Sequence, residues 1–86
     1  MNEKTNDTLR IKIVSPERTL YEGEGVSVRM TAKDGRIGIR RGHAPAVILL
    51  SAGDFTVIGA DGKSFSTNLC GGVAKVGNDT ITVMTK

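Results

Sequence analysis

The sequence has no tryptophan, one cysteine, one histidine and two prolines in 86 residues. Each scarcity removes a class of explanation. Cys70 alone cannot close an internal disulfide, and Cys70 with His43 falls short of the donor set of a structural zinc site, so neither a metal nor a cofactor is expected. Such cysteine usage fits a reducing compartment. Long apolar runs are missing as well. The longest, residues 44–50, contains Pro45 and is far shorter than the roughly 20 residues a membrane helix needs. Residues 1–8 are polar and mixed in charge, unlike a secretory signal, and read as a flexible lead-in to a soluble domain over residues 9–86. A chain this short buries only roughly 60% of the surface its unfolded form exposes, so its core is small and a partner surface would help it.

Aromatic residues are few: Tyr21, Phe55 and Phe65. β-Domains that bind single-stranded nucleic acid stack bases on exposed rings, at about 1–3 kcal/mol per base. Phe55 and Phe65 fall at alternating, core-like positions and Tyr21 lies near a turn signal, so no exposed platform is expected. The net charge of +3 is modest but uneven. Lys33, Arg36, Arg40 and Arg41 fall close together, opposed there only by Asp34. A small basic β-domain binding nucleic acid is therefore the competing reading, carried by nonspecific phosphate contact alone.

What the chain does have is period-2 alternation. Leu9, Ile11 and Ile13 alternate with Arg10 and Lys12; Val26, Val28 and Met30 alternate with Ser27 and Arg29. Ile37 and Ile39 flank Gly38, Phe55 and Val57 flank Thr56, and Ile81 and Val83 flank Thr82. Each set describes a strand with one wet and one dry face. Turn signals recur at roughly eight- to twelve-residue intervals, the spacing of a sandwich or barrel. They are Ser15-Pro16, Gly23 to Gly25, Lys33-Asp34-Gly35, Gly42 to Pro45, Ala52-Gly53-Asp54, Asp61-Gly62 and Gly77-Asn78-Asp79. The fold class is all-β, a two-sheet β-sandwich. Ala46 to Leu50 is apolar without alternation, as in a strand buried on both faces or one whose outer face meets another subunit.

Catalytic constellations are absent from the pattern. Cys70, before Gly71-Gly72, reads as a small residue at a strand-to-turn junction rather than a nucleophile, and His43 as a turn or partner contact rather than a general base. Gly35 to Gly42 lacks the strand–loop–helix setting and the Gly-Lys-Ser/Thr of a phosphate loop. Glu22 and Glu24 read as solvated charges. No catalytic residue is expected, and the chain is not read as an enzyme.

Taken in order, these signals resemble the N-terminal domain of the epsilon subunit of bacterial F-type ATP synthases, called delta in mitochondria. The resemblance lies in Ile11-Lys12-Ile13-Val14-Ser15-Pro16-Glu17-Arg18, Tyr21-Glu22-Gly23, Asp34-Gly35-Arg36-Ile37-Gly38-Ile39, Gly42-His43-Ala44-Pro45, Gly71-Gly72-Val73-Ala74-Lys75-Val76 and Ile81-Thr82-Val83-Met84. It runs from about Leu9 to the C-terminus. It implies a sandwich of about ten short strands that links the gamma subunit to the membrane c-ring in the rotor of a rotary ATP synthase. The location it implies is the cytoplasmic face of the bacterial inner membrane, peripheral and not inserted, and no nucleic acid is implied. By position, Ser15, His43 and Ile48 are implied to face gamma, and the loop Asp34, Gly35, Arg36, Ile37 to face the c-ring. Val47 and Leu49, beside Ile48 in the non-alternating run, join the gamma set as an expected apolar patch.

Two departures from the family pattern carry expectations of their own. Arg36 stands where the family commonly has an acidic residue, and Arg40-Arg41 replace a hydrophobic-or-aromatic residue and a proline. Arg40 and Arg41 therefore join the c-ring set, facing a ring loop expected to be acidic. The sequence also ends at Lys86, where many relatives continue into a helical hairpin that restrains ATP hydrolysis or binds ATP. A short form without a C-terminal helical domain, and without those two activities, is expected.

Overall fold

Alternating burial carries through into strands. Leu9, Ile11 and Ile13 of β1 (Leu9–Val14) are buried while Arg10 and Lys12 are exposed. The same rhythm forms β3 (Ser27–Ala32), with Val28, Met30 and Ala32 inward, and β7 (Thr80–Thr85), with Ile81 and Val83 inward. The others are β2 (Thr19–Gly25), β4 (Gly35–Arg40), β5 (Ala46–Ile58) and β6 (Ser64–Gly77). The computed structural model describes residues 8–86, so the lead-in expected over residues 1–8 lies outside the described residues apart from Thr8.

The strands are hydrogen-bonded in the order β2-β1-β7-β6-β5-β3-β4. Among the described residues only β1 and β7 run parallel. The long β5–β6 hairpin serves two layers. Its Ala46–Leu50 and Gly72–Gly77 ends join β7, β1 and β2 in layer one, while Phe55–Ile58 pairs with β3, and through it β4, in layer two. Leu9, Ile11, Ile13, Ile81 and Val83 of layer one meet Val28, Met30, Ile39, Phe55 and Val57 of layer two in one core.

Among the described residues seven strands stand where about ten were expected, because three glycine-marked positions do not turn the chain. Ala52-Gly53-Asp54 lies inside β5, and Gly71-Gly72, with Cys70 before it, lies inside β6. Buried positions change parity there. β5 buries Leu50, then Phe55 and Val57; β6 buries Leu69, then Ala74 and Val76. Side chains of a strand alternate strictly, so a change of buried parity needs backbone outside the pleat. Gly71 (φ +106°) and Gly72 (φ +144°) supply it. A Cβ on Gly72 would run into the carbonyl of Met84 and come within 3.0 Å of Thr85 Cα. Buried Thr85 donates its hydroxyl to the Gly71 carbonyl at 2.7 Å, satisfying the acceptor that the distortion turns away from the ladder. Gly23 to Gly25 is likewise strand rather than turn.

The two layers are also tied at one end. Asn78 (φ 50°) and Asp79 (φ 57°) form the left-handed centre of the β6–β7 hairpin, the geometry of a type I′ turn. The Asp79 carboxylate accepts from the Gly42 amide at 2.8 Å and lies 3.3 Å from Arg41 Nε. The connection that carries the chain from β4 to β5 is thereby fastened to the end of layer one.

Candidate interface

The outer face of layer one carries an apolar row that the fold itself does not need. Leu49, Val73, Met84 and Val14 are successive cross-strand partners on β5, β6, β7 and β1. Leu49 is 56% exposed, Met84 43%, and Val47, one row over, 67%. Exposed large apolar side chains are ordinary when scattered; contiguous ones mark contact surfaces. The run that showed no alternation in the sequence does alternate in space. Val47 and Leu49 point out, Leu50 is buried, and half-buried Ile48 packs on the core.

Lys12 and Lys75 border this row, and the remaining expected gamma contacts lie outside it, Ser15 just past Val14 and His43 on the connection that precedes β5. Ser15 closes the β1–β2 turn, its amide donating to the Arg18 carbonyl at 2.8 Å and its Oγ at 3.1 Å. His43 lies on the β4–β5 connection; its amide donates to the Arg40 carbonyl at 3.2 Å, and its Nδ1 is 2.7 Å from the Ala44 carbonyl. Both residues therefore shape turns, and neither lies inside the apolar row.

The basic cluster divides. Arg36 reaches back to β5 with two hydrogen bonds to Asp54, at 3.0 and 3.1 Å. Thr31 adds its hydroxyl to the Asp54 carbonyl oxygen and carboxylate. The Arg36 hydrogen bond, then a backbone donor, hold the Asp54 carboxyl below its ordinary value of 3.8, against a smaller opposing effect of desolvation. Arg41 is engaged by Asp79. Among the described residues, Lys33 and Arg40 are left without an ion-pair partner. Arg29, which the linear cluster did not include, joins Arg40 on the outer face of layer two, with Gly38 directly across from it.

The two expected contact sets meet in a groove of about 510 Å³, lined by Lys33, Asp34 and Ile37 on one side and Val47, Ile48 and Leu49 on the other. Gly35 is exposed at the hairpin tip beside it. The groove joins the tip of layer two to the apolar edge of layer one.

Tyr21 and Phe65 form a pair that sequence reasoning missed. Their rings stack at 4.5 Å, with Phe65 37% exposed rather than in the core. Tyr21 lies over Gly23, whose Cβ would sit 2.9 Å from the phenolic oxygen. The only advance signal was the Tyr21-x-Gly23 spacing, which puts both residues on one face of a strand. The pair borders a hollow lined by Glu24 and Asp61 as well as Lys63, a setting that repels phosphate. His43 and Cys70 fall on separate elements, and among the described residues no group of His, Cys, Asp and Glu is placed to hold a metal.

Comparison with known proteins follows the same lines. A family model described as the β-sandwich domain of the ATP synthase delta/epsilon chain matches residues 8–86. The ATP synthase epsilon chain of Paracoccus denitrificans is 36% identical over 78 residues, covering 91% of this chain and 53% of its own length. The chloroplastic epsilon chain of Porphyra purpurea is 32% identical over 77 residues, covering 90% and 57%. The chain thus spans about half the length of the curated relatives it matches. Among solved structures, a chain of the Euglena gracilis mitochondrial ATP synthase (OSCP/F1/c-ring) superposes with a TM-score of 0.85 at 19% identity, covering 99% of this chain and 54% of that one. A chain of the Tetrahymena thermophila ATP synthase central stalk and c-ring gives 0.72 at 12% identity, covering 90% and 62%. At such identities these two matches establish the shared fold alone.

Proposed function

Because this chain belongs to the family of the ATP synthase delta/epsilon chain β-sandwich domain, we propose that it is a non-catalytic rotor element joining the gamma subunit to the membrane c-ring. Its work is mechanical: torque passes through it between ion flow in the ring and ATP chemistry in other subunits. It belongs on the cytoplasmic face of a bacterial inner membrane, held there by the complex and not by insertion.

The observation that supports this reading best is the apolar row Leu49, Val73, Met84 and Val14, with Val47 beside it, on a small domain that has little core to spare. Gamma covers that row. Val47 and Leu49 supply the contact, Ile48 anchors the strand from inside, and Ser15 and His43 hold the turns that end the face. Any partner bound only to the folded state stabilises it by mass action. The β3–β4 tip, with Asp34, Gly35 and Ile37 and with Lys33 nearby, meets the polar loops of the ring. Arg36 fixes the shape of this tip through Asp54; at the other end of β4, Asp79 holds Arg41, and Arg40 beside it carries charge available to an acidic ring loop.

Co-purification of a tagged chain with its own gamma subunit and c-ring tests the reading. Gamma stays bound at moderate and high salt, and the ring is lost first at high salt, because charge contacts are screened and apolar ones are not. Failure to capture gamma at either salt contradicts it.

A further inference from the structure

Strand β4 ends the hydrogen-bonding order, so one of its edges has no neighbour among the described residues. Which groups lie on that edge follows from the ladder. Lys33 donates its amide to Leu49 on β5, and the Arg40 carbonyl is taken by His43. Bonding direction alternates along a strand, so Ala32, Met30 and Val28 bond Gly35, Ile37 and Ile39 of β4. The N–H and C=O groups of Arg36 and Gly38, and the N–H of Arg40, then face the open edge. The side chains at those positions turn to the outer face of layer two, which is basic there.

Gly38 is the unexplained residue of this strand. Its φ is not positive, and a Cβ placed on it would meet nothing closer than the Val28 carbonyl at 3.8 Å. Neither conformation nor packing within the chain calls for glycine, although glycine weakens a strand. A glycine inside a strand often marks a bulge, a bend or a close approach by another backbone or ligand, and the unbroken β3–β4 register at Gly38 leaves the last. Arg29 stands directly across from it, and hollows of about 440 and 310 Å³ that share Arg29 and Gly38 border the site.

We infer that the free edge of β4 is a strand-addition site for an extended acidic segment of a partner protein, with an aromatic side chain seated over Gly38. Backbone groups of the segment pair with Arg36, Gly38 and Arg40. Its ring lies across the bare Gly38 Cα toward the Arg29 guanidinium, a cation–π arrangement. A carboxylate two positions along meets Arg40. A second copy of this chain does not suit the edge. Like arginine-bearing edges repel each other. The other terminal strand, β2, has its Glu22 and Glu24 within 3.5 and 3.8 Å of Arg10 across the β1–β2 pair. The inference stands apart from the rotor reading and would survive its failure.

The test is an amide NMR titration of the isotope-labelled chain with the heptapeptide Ser-Glu-Thr-Tyr-Thr-Glu-Ser, which places its ring and both carboxylates on one face. Saturable shifts are expected at the amides of Arg36, Gly38 and Arg40, with β2 amides still. Arg40→Glu weakens binding at least tenfold, and replacing both glutamates of the peptide by lysine abolishes it. Gly38→Pro removes an edge N–H that bonds nothing among the described residues, and it abolishes binding while the rest of the spectrum keeps its dispersion. The inference is overturned by absence of these shifts at millimolar peptide, or by equal binding to Arg40→Glu. It also falls if a short oligothymidine moves the same amides when the peptide does not.

Discussion

The two outer faces of the sandwich come from the same alternation and both carry charge, but layer one adds a contiguous apolar row. Layer two turns out what water prefers: Arg29, Arg40, and the hydroxyls of Thr56 and Ser66, which hydrogen-bond each other at 2.9 Å across β5 and β6. Layer one turns out Val47, Leu49 and Met84. Inward positions are dictated by the core, so they say little about partners. Outward positions are free, and an outward choice that costs solvation needs a partner to explain it. By that argument layer one is the face that calls for an apolar partner, while the outer face of layer two is at home in water.

The comparison breaks most completely if the shared core fails. Phe55 is 1% exposed and packs between the layers, so Phe55→Ala is expected to cost about 3–5 kcal/mol, read by chemical denaturation, with both faces lost together. Gly72→Ala comes next. Its left-handed backbone and the nearby Met84 carbonyl leave no room for a methyl, and a loss of about 1–3 kcal/mol is expected. It also displaces Met84, so gamma capture should suffer while charge on layer two does not change.

A sharper separation comes from Leu49→Asp. The side chain is outside the core, so stability should move by about 0.5 kcal/mol or less, whereas the loss of a central apolar contact should weaken gamma binding by about 2 kcal/mol, roughly thirtyfold. Equilibrium unfolding and a gamma pull-down, run side by side, check the two halves. The smallest effect concerns the tip of layer two. Asp54 has a folded pKa below its unfolded one, so its pairing stabilises fully above about pH 4, and that contribution disappears as pH falls below the ordinary 3.8. Arg36→Gln should move the Asp54 titration upward, as read by carboxyl NMR, and leave neutral-pH folding nearly unchanged.

Much of the fold was legible in residue alternation. Ile11 and Ile13, Val28 and Met30, and Ile81 and Val83 are inward as their spacing implies. Asp61-Gly62 and Asn78-Asp79 sit in turns, as their composition implies. What failed was glycine. A local signal cannot distinguish a glycine that turns a chain from one that shifts its buried parity, because the difference at Gly71 and Gly72 lies in β7 packed alongside. The site was legible to the same depth. The apolar run marked Val47 and Leu49, but the pairing of Arg36 with Asp54 spans 18 positions and left no trace in the linear charge pattern. Arg29 looked like an ordinary outward strand residue until register set it opposite Gly38.

The central claim is that the apolar face of layer one is the one covered in the assembled rotor. Thiol labelling tests it directly, in a Cys70→Ser background because Cys70 is itself exposed. Leu49→Cys and Ser66→Cys report the outer faces of layers one and two. Both should react in the isolated chain, and in the complex with gamma and the c-ring only position 49 should become protected. A reactive position 49 beside a protected position 66 in that complex would contradict the account.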